Sequence, residues 1–141
     1  MQGSMNKAQI SQVLLVDDNP GDIQLTRIAF EETGLAVELT AAMTAAEARQ
    51  LLGAGGYDLI LLDLNLTDAS GHDVLRWCKQ QPALKSIPVV IVSTSDFPKD
   101  LQRSQELGAV DYIVKPNSFA RFIELLKGLE SWLCSGARRE F

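Results

Sequence analysis

The sequence has few of the residues that cross-link small proteins. Its 141 residues include two cysteines, Cys78 and Cys134, and one histidine, His72. Neither cysteine has a second ligand at metal-binding spacing, so the sequence favours neither a disulfide framework nor a zinc site, and we interpret both as packing residues. His72 stands in no nucleophile motif, and we interpret it as a surface or capping residue. The chain must therefore fold on a hydrophobic core, and it is long enough to bury one.

Long apolar runs and clustered positive charge are also lacking. No apolar run exceeds four residues, whereas a membrane helix needs about 20. No basic stretch precedes an apolar segment near the N-terminus, so we expect no secretory signal, no membrane contact and a cytoplasmic location. The formal net charge is −5, and Arg138-Arg139 is the one adjacent basic pair. This charge distribution lacks the basic patch that nucleic-acid binding requires, so we expect no nucleic-acid partner.

What the sequence does contain is a regular alternation of apolar runs and helix patterns. The apolar runs predict strands at 12–16, 37–40, 57–62, 89–92 and 112–114. Helices are predicted to begin near Asp22, Thr44, Gly71, Pro98 and Ser118, with Asp22 as the cap of the first one and the last one running to about Leu133. Five such units with right-handed crossovers predict an α/β fold, a doubly wound five-stranded parallel sheet with helices on both faces.

The domain boundaries follow from the same pattern. Residues 9–134 are predicted to form one domain, and residues 135–141 a C-terminal tail. We expect residues 1–8 to be a disordered N-terminal segment, of which the first four resemble the remnant of an expression tag. Trp132 and Phe141 are expected to be exposed.

Polar residues stand where the predicted strands end. Asp17 and Asp18 follow the first strand, Asp63 the third, Ser93 the fourth and Lys115 the fifth. Because the carboxyl ends of parallel strands share one edge of a sheet, these residues are expected to meet there. Ionised carboxylates held together repel, so a divalent cation is expected among them, and oxygen ligands select a hard ion such as Mg²⁺. Phosphoryl transfer to a carboxylate also needs a cation and hydroxyl donors, which Lys115 and Ser93 offer.

These motifs resemble the response-regulator receiver domain. The acidic pair, Asp63, the Ser93-Thr94 pair and Lys115-Pro116 occur in the family's order, with 30 residues from Asp63 to Ser93 and 22 from Ser93 to Lys115. The resemblance implies a flavodoxin-like (βα)5 receiver fold. It also implies a response regulator of a two-component phosphorelay, which catalyses only its own phosphorylation and dephosphorylation.

The resemblance also implies a role for each site residue. Asp63 is the expected phosphoacceptor. Mg²⁺ or Mn²⁺ is expected to be held by Asp17, Asp18, Asp63 and the main-chain carbonyl of Asn65. Phosphate is expected to contact Ser93, Thr94 and Lys115, and Ser93 and Tyr112 are the expected switch residues. Gly71 matches the family's loop glycine, whereas Thr67 stands where proline is frequent and Thr94 where a smaller residue is frequent.

The partners implied are a histidine kinase or histidine phosphotransfer protein as donor, and a downstream protein target. A homodimer through the face of the fourth helix, fifth strand and fifth helix is also implied. The segment 18–22 is similar to that of single-domain regulators found beside phytochrome-type and other hybrid histidine kinases, so we expect no output domain.

Three alternatives remain open from the residues. A pseudo-receiver would use the fold only as a phosphorylation-independent docking module. A haloacid-dehalogenase-like phosphatase is disfavoured because Asn65 cannot serve as the general acid two residues after the nucleophile. A flavodoxin-like FMN binder is disfavoured because Asp17 and Asp18 would face its phosphate.

Overall fold

The computed structural model describes residues 10–133. Within them, five parallel strands form one sheet in the order β2-β1-β3-β4-β5, and helices connect consecutive strands. The predicted doubly wound α/β fold is confirmed. Residues 1–8, Cys134 and the tail at 135–141 lie outside the described residues. The strands are β1 Ser11–Val16, β2 Val37–Ala42, β3 Leu59–Leu62, β4 Val89–Ser93 and β5 Asp111–Val114.

The burial of the strands explains their sequences. Every residue of β3 and β4 is buried, since helices cover both faces of the sheet there. Central parallel strands therefore read as continuous apolar runs. The edge strands β2 and β5 are partly exposed and carry the polar residues Glu38 and Asp111.

Four of the five helices begin at side-chain caps, the exception being the helix that starts at Pro98. Asn19, Thr44, Ser70 and Ser118 each accept a hydrogen bond from a backbone N–H of the first turn that follows. Our prediction that Asp22 caps the first helix was wrong, because Pro20 occupies the first turn and Asn19 supplies the cap. The helices are α1 Pro20–Thr33, α2 Ala45–Ala54, α3 Gly71–Gln80, α4 Pro98–Glu106 and α5 Phe119–Lys127.

The C-terminal helix is shorter than predicted. α5 ends at Lys127 and continues as a 3₁₀ helix, Gly128–Trp132. The tighter 3₁₀ turn changes the direction of the side chains, and Trp132, predicted to be exposed, is partly buried against the core. At helical spacing along this segment, the side chains of Phe122, Leu126, Leu129 and Leu133 are buried, whereas Phe119 is 37% exposed.

Two hydrophobic layers enclose the sheet. One face carries α1 and α5, and the other carries α2 and α3, where Cys78 is fully buried as the sequence indicated. α4 lies beside α3 and β5, and Ser104 is the one buried residue within that helix. In the described part of the chain, no helix combines the length and hydrophobicity that a bilayer span requires.

Candidate functional site

The strand register brings the predicted site residues to one edge of the sheet. β1 and β3 end side by side, and the backbone N–H of Asp63 donates to the carbonyl of Val16 at 2.9 Å. β4 and β5 also end together, and the backbone N–H of Lys115 donates to the carbonyl of Ser93 at 2.8 Å. The side chains that follow β1, β3 and β5 therefore meet in one pocket.

Three carboxylates form the inner wall of this pocket. One oxygen from each of Asp17, Asp18 and Asp63 lies within 4.8 Å of the other two. Asp17 and Asp63 are only 1% and 8% exposed. Burial raises the pKa of Asp17, although the backbone N–H of Asn19 and the charge of Lys115 partly oppose that rise. The cluster therefore gains from a further positive charge beside it.

The donor set fits a hard divalent cation. Mg²⁺ binds oxygen at about 2.0 to 2.1 Å, so two oxygens on one ion lie at most about 4.2 Å apart. The 4.8 Å limit on the separations of the three carboxylate oxygens is about 0.6 Å beyond that span. Thr67 donates its hydroxyl to Oδ2 of Asp18 at 3.0 Å, which fixes the direction of the most exposed of the three acids.

Lys115 is the cation on the other side of the pocket. Its Nζ lies 3.2 Å from Oδ2 of Asp63, 3.1 Å from Oδ2 of Asp17 and 2.9 Å from Oδ2 of Asp22. Burial alone would lower the pKa of Lys115, but its bond to Asp22 and the charges of Asp63 and Asp17 outweigh burial and raise that pKa well above its usual range. The ammonium therefore stays charged.

The loop after Asp63 is held close to the phosphoacceptor candidate. The backbone N–H of Asn65 donates to Oδ1 of Asp63 at 3.1 Å, and Gly71 donates its N–H to the carbonyl of Leu64 at 2.8 Å. A Cβ on Gly71 would lie 2.2 Å from the carbonyl oxygen of Asp63. Only glycine permits this approach, so Gly71 allows the start of the following helix to pack directly against the main chain of Asp63.

The predicted switch residues lie on two neighbouring strands, Ser93 at the end of β4 and Tyr112 within β5. Ser93 is fully buried, and its hydroxyl accepts a hydrogen bond from the N–H of Ser95 at 3.2 Å. The hydroxyl of Tyr112 donates to the carbonyl of Ser95 at 2.9 Å, and burial raises the pKa of Tyr112. Thr94 is exposed and lines a cavity that Lys115 also borders. Tyr112 therefore contacts the segment directly after Ser93.

Sequence reasoning missed three contacts around the site. Asp22 binds Lys115, whereas we had interpreted it only as a helix cap. Asp68 accepts hydrogen bonds from the first two N–H groups of α2, at 2.8 and 3.1 Å, and so ties the loop after β3 to that helix. His72 is only partly exposed, and its Nε2 lies 2.9 Å from the hydroxyl of Ser104. The sequence signal that could have indicated the role of Asp22 was its position four residues after Asp18.

The comparison with protein families agrees with this geometry. The model of the response regulator receiver domain matches residues 13–127. The chain therefore belongs to the response regulator receiver family, and it is a receiver domain of a two-component system.

Individual relatives share both the fold and much of the sequence. The polar-differentiation response regulator DivK of Brucella ovis is 36% identical over 115 residues, which are 82% of this chain and 92% of DivK. A probable cyclic di-GMP phosphodiesterase of Vibrio cholerae is 38% identical over 127 residues, but this chain spans only 27% of that protein.

Two solved structures are similar along most of the chain. The phosphorylated cyanobacterial phytochrome response regulator RcpA is 35% identical, with a TM-score of 0.78 over 86% of this chain and 92% of RcpA. The Mn²⁺-bound response regulator Rcp1 is 33% identical, with a TM-score of 0.76 over 86% of this chain and 92% of Rcp1.

Proposed function

We propose that Asp63 accepts a phosphoryl group from a phosphohistidine on a histidine kinase or histidine phosphotransfer protein. The observation that carries the proposal is the position of Asp63 between the acidic pair and Lys115, whose Nζ is 3.2 Å from its carboxylate. A nucleophilic carboxylate between a metal site and a fixed ammonium has the charge neutralisation that phosphoryl transfer needs.

In the transfer, an oxygen of Asp63 attacks phosphorus. The new P–O bond forms as the P–N bond of the donor breaks, and the imidazole nitrogen keeps the electron pair. Lys115 pairs with a phosphoryl oxygen, and the hydroxyl of Ser93 donates to another. In the later hydrolysis of the aspartyl phosphate, water attacks phosphorus, the P–O bond to Asp63 breaks with its electron pair on the carboxylate, and the proton of water passes to the released phosphate.

We assign the metal site to Asp17, Asp18, Asp63 and the main-chain carbonyl of Asn65. Mg²⁺, or Mn²⁺, held there would neutralise charge on the phosphoryl oxygens. The solved structure of Mn²⁺-bound Rcp1 supports this assignment by analogy. The donor atoms are all oxygens, which suits either ion.

The proposed output is a two-state change at α4, β5 and α5. Phosphate recruits Ser93 away from the N–H of Ser95, and Tyr112, which holds the carbonyl of Ser95, follows. A coupling of about 1 to 3 kcal/mol is enough to change affinity for a partner about five- to 150-fold. We propose that the partner is a downstream protein or a second copy of this chain, that residues 9–134 form the receiver unit, and that it acts in the cytoplasm without enzymatic turnover of another substrate.

Intact-mass spectrometry after incubation with acetyl phosphate and Mg²⁺ tests the proposal. We expect one phosphoryl adduct on the wild-type protein, and none with Asp63→Asn or in the presence of EDTA. Asp96→Asn removes an exposed acid in the loop after β4 and serves as the matched control, which should still be labelled.

Labelling of the Asp63→Asn variant would refute the assignment of the acceptor. A wild-type protein that is folded, binds Mg²⁺, and takes no phosphoryl group from acetyl phosphate or from a phosphorylated histidine kinase would favour the docking-module alternative instead.

A further inference from the structure

The first turn of α1 contributes an acid that the proposed reaction does not yet use. Asp22 is the third residue of α1, and its backbone is already engaged, because its N–H donates to Asn19 and its carbonyl accepts from the hydroxyl of Thr26. Asn19 supplies the helix cap, so the Asp22 side chain is not needed for capping. It turns instead toward the pocket and makes the shortest of the three bonds to Lys115, at 2.9 Å.

The three bonds use the whole hydrogen-bonding capacity of the ammonium. A lysine ammonium has three N–H donors, and Asp17, Asp22 and Asp63 each accept one at hydrogen-bond distance. A phosphoryl oxygen can therefore bind Lys115 only after one carboxylate gives way.

Burial decides which carboxylate gives way. The side chains of Asp17 and Asp63 are 2% and 10% exposed, so water could not replace the ammonium beside either one. The side chain of Asp22 is 39% exposed, and water can solvate it when it releases Lys115. Asp22 is therefore the acceptor that can be exchanged for phosphate at least cost.

We propose that Asp22 is a positioning residue that holds the Lys115 ammonium before phosphorylation and competes with the incoming phosphoryl oxygen for it. Asp22 thereby slows the loading of Asp63. The inference rests on the proposed role of Asp63 as acceptor. It adds a residue that sets the rate of phosphorylation and lies outside the three carboxylates of the metal site.

The charge of Asp22 acts on the metal site in the opposite sense. The carboxylate oxygens of Asp22 and Asp17 both bind Nζ of Lys115, at 2.9 and 3.1 Å, so these two oxygens lie at most about 6 Å apart. A negative charge so close to a metal-site carboxylate favours a divalent cation there and disfavours a phosphoryl dianion. Neutralising Asp22 should therefore weaken Mg²⁺ binding and speed phosphorylation, whereas general loosening of the pocket would impair both.

The test compares rates of adduct formation with acetyl phosphate at saturating Mg²⁺, together with half-saturating Mg²⁺ concentrations. Asp22→Asn should form the adduct about fivefold faster and need more Mg²⁺, the size being that of one partly exposed charge interaction. Asp22→Glu keeps the charge and should return the rate toward that of the wild type. Glu32→Gln removes an exposed acid from the last turn of the same helix and should change neither quantity.

The outcomes separate this inference from the proposed function. A labelled wild type, with Asp22→Asn labelled at the same rate or more slowly, would overturn the role of Asp22 and leave Asp63 as acceptor. A faster Asp22→Asn that Asp22→Glu shares would also overturn it, because charge would then not be the cause. Failure of the wild type to be labelled by any donor would refute the proposed function itself.

Discussion

Replacing Gly71 with alanine should damage both the stability and the activity of the protein. Gly71 is buried at the start of α3, directly against the main chain of Asp63 and Leu64. The added Cβ would lie 2.2 Å from the carbonyl oxygen of Asp63 and 2.8 Å from Cα of Leu64. Both obstacles are backbone atoms, so no side-chain rotation can relieve the contact.

The distances set the size of the effect. A carbon and a carbonyl oxygen approach to about 3.3 Å, so the two segments must separate by about 1 Å. Overpacking costs about 1 to 3 kcal/mol, and a backbone clash belongs at the upper end. Alanine recovers less than about 1 kcal/mol from its better helix propensity. We expect Gly71→Ala to lower the free energy of unfolding by about 2 to 3 kcal/mol.

Urea unfolding followed by tryptophan fluorescence measures this loss. The midpoint should fall by about 1 M, given slopes of about 1 to 3 kcal/mol/M. Adduct formation at Asp63 should slow at least about tenfold, because a shift of about 1 Å misplaces the nucleophile. Gly53→Ala is the control: Gly53 is exposed within α2 with open space around it, so alanine there should stabilise by about 0.5 kcal/mol. Wild-type stability and labelling in Gly71→Ala would refute this reasoning.

Three further predictions concern the metal, His72 and Asp68. Mg²⁺ at about 100 times its dissociation constant should stabilise the protein by about 2.7 kcal/mol in thermal unfolding; a shift that persists in Asp18→Asn would contradict the metal assignment. Burial lowers the pKa of His72 below 6.5, so the stability that neutral His72 contributes is present above pH 6.5 and is lost as the pH falls further. His72→Gln should flatten the plot of urea midpoint against pH in that range, and an unchanged slope would refute the effect. The N–H groups of α2 lower the pKa of Asp68, so the stability that ionised Asp68 contributes is present above pH 3.8 and is lost as the pH falls further. Asp68→Ala should lower the melting temperature at pH 7, and an unchanged melting temperature would contradict a stabilising bond between Asp68 and α2.

The acidic pair, Asp63 and Lys115 could be located from the sequence because a strand end is a local feature. An apolar run followed by a polar residue marks each one, and the parallel sheet brings the ends together. The same local reasoning fails for Asp22. Its partner Lys115 is 93 residues away, and an acid at that position suits a helix N-terminus equally well.

Other differences also arise from contacts that local patterns do not encode. His72 was interpreted as a surface or capping residue because its partner, Ser104, lies 32 residues away on another helix. The end of α5 was placed too late because Leu129 and Leu133 continue the apolar spacing through the 3₁₀ turn. Over so short a segment, a 3₁₀ helix and an α-helix bury apolar side chains at similar sequence spacings, so the pattern does not distinguish them. Trp132 was misplaced because the tighter 3₁₀ turn directs its side chain toward the core.

Chemical identification of the phosphorylated residue decides whether Asp63 is the acceptor. Borohydride reduces an acyl phosphate on aspartate to homoserine, and peptide sequencing by mass spectrometry locates the change. After loading with acetyl phosphate and Mg²⁺, we predict homoserine at position 63 and none there without the phosphodonor. Homoserine at position 17, 18 or 22, with Asp63 unmodified, would show that Asp63 is not the phosphoacceptor.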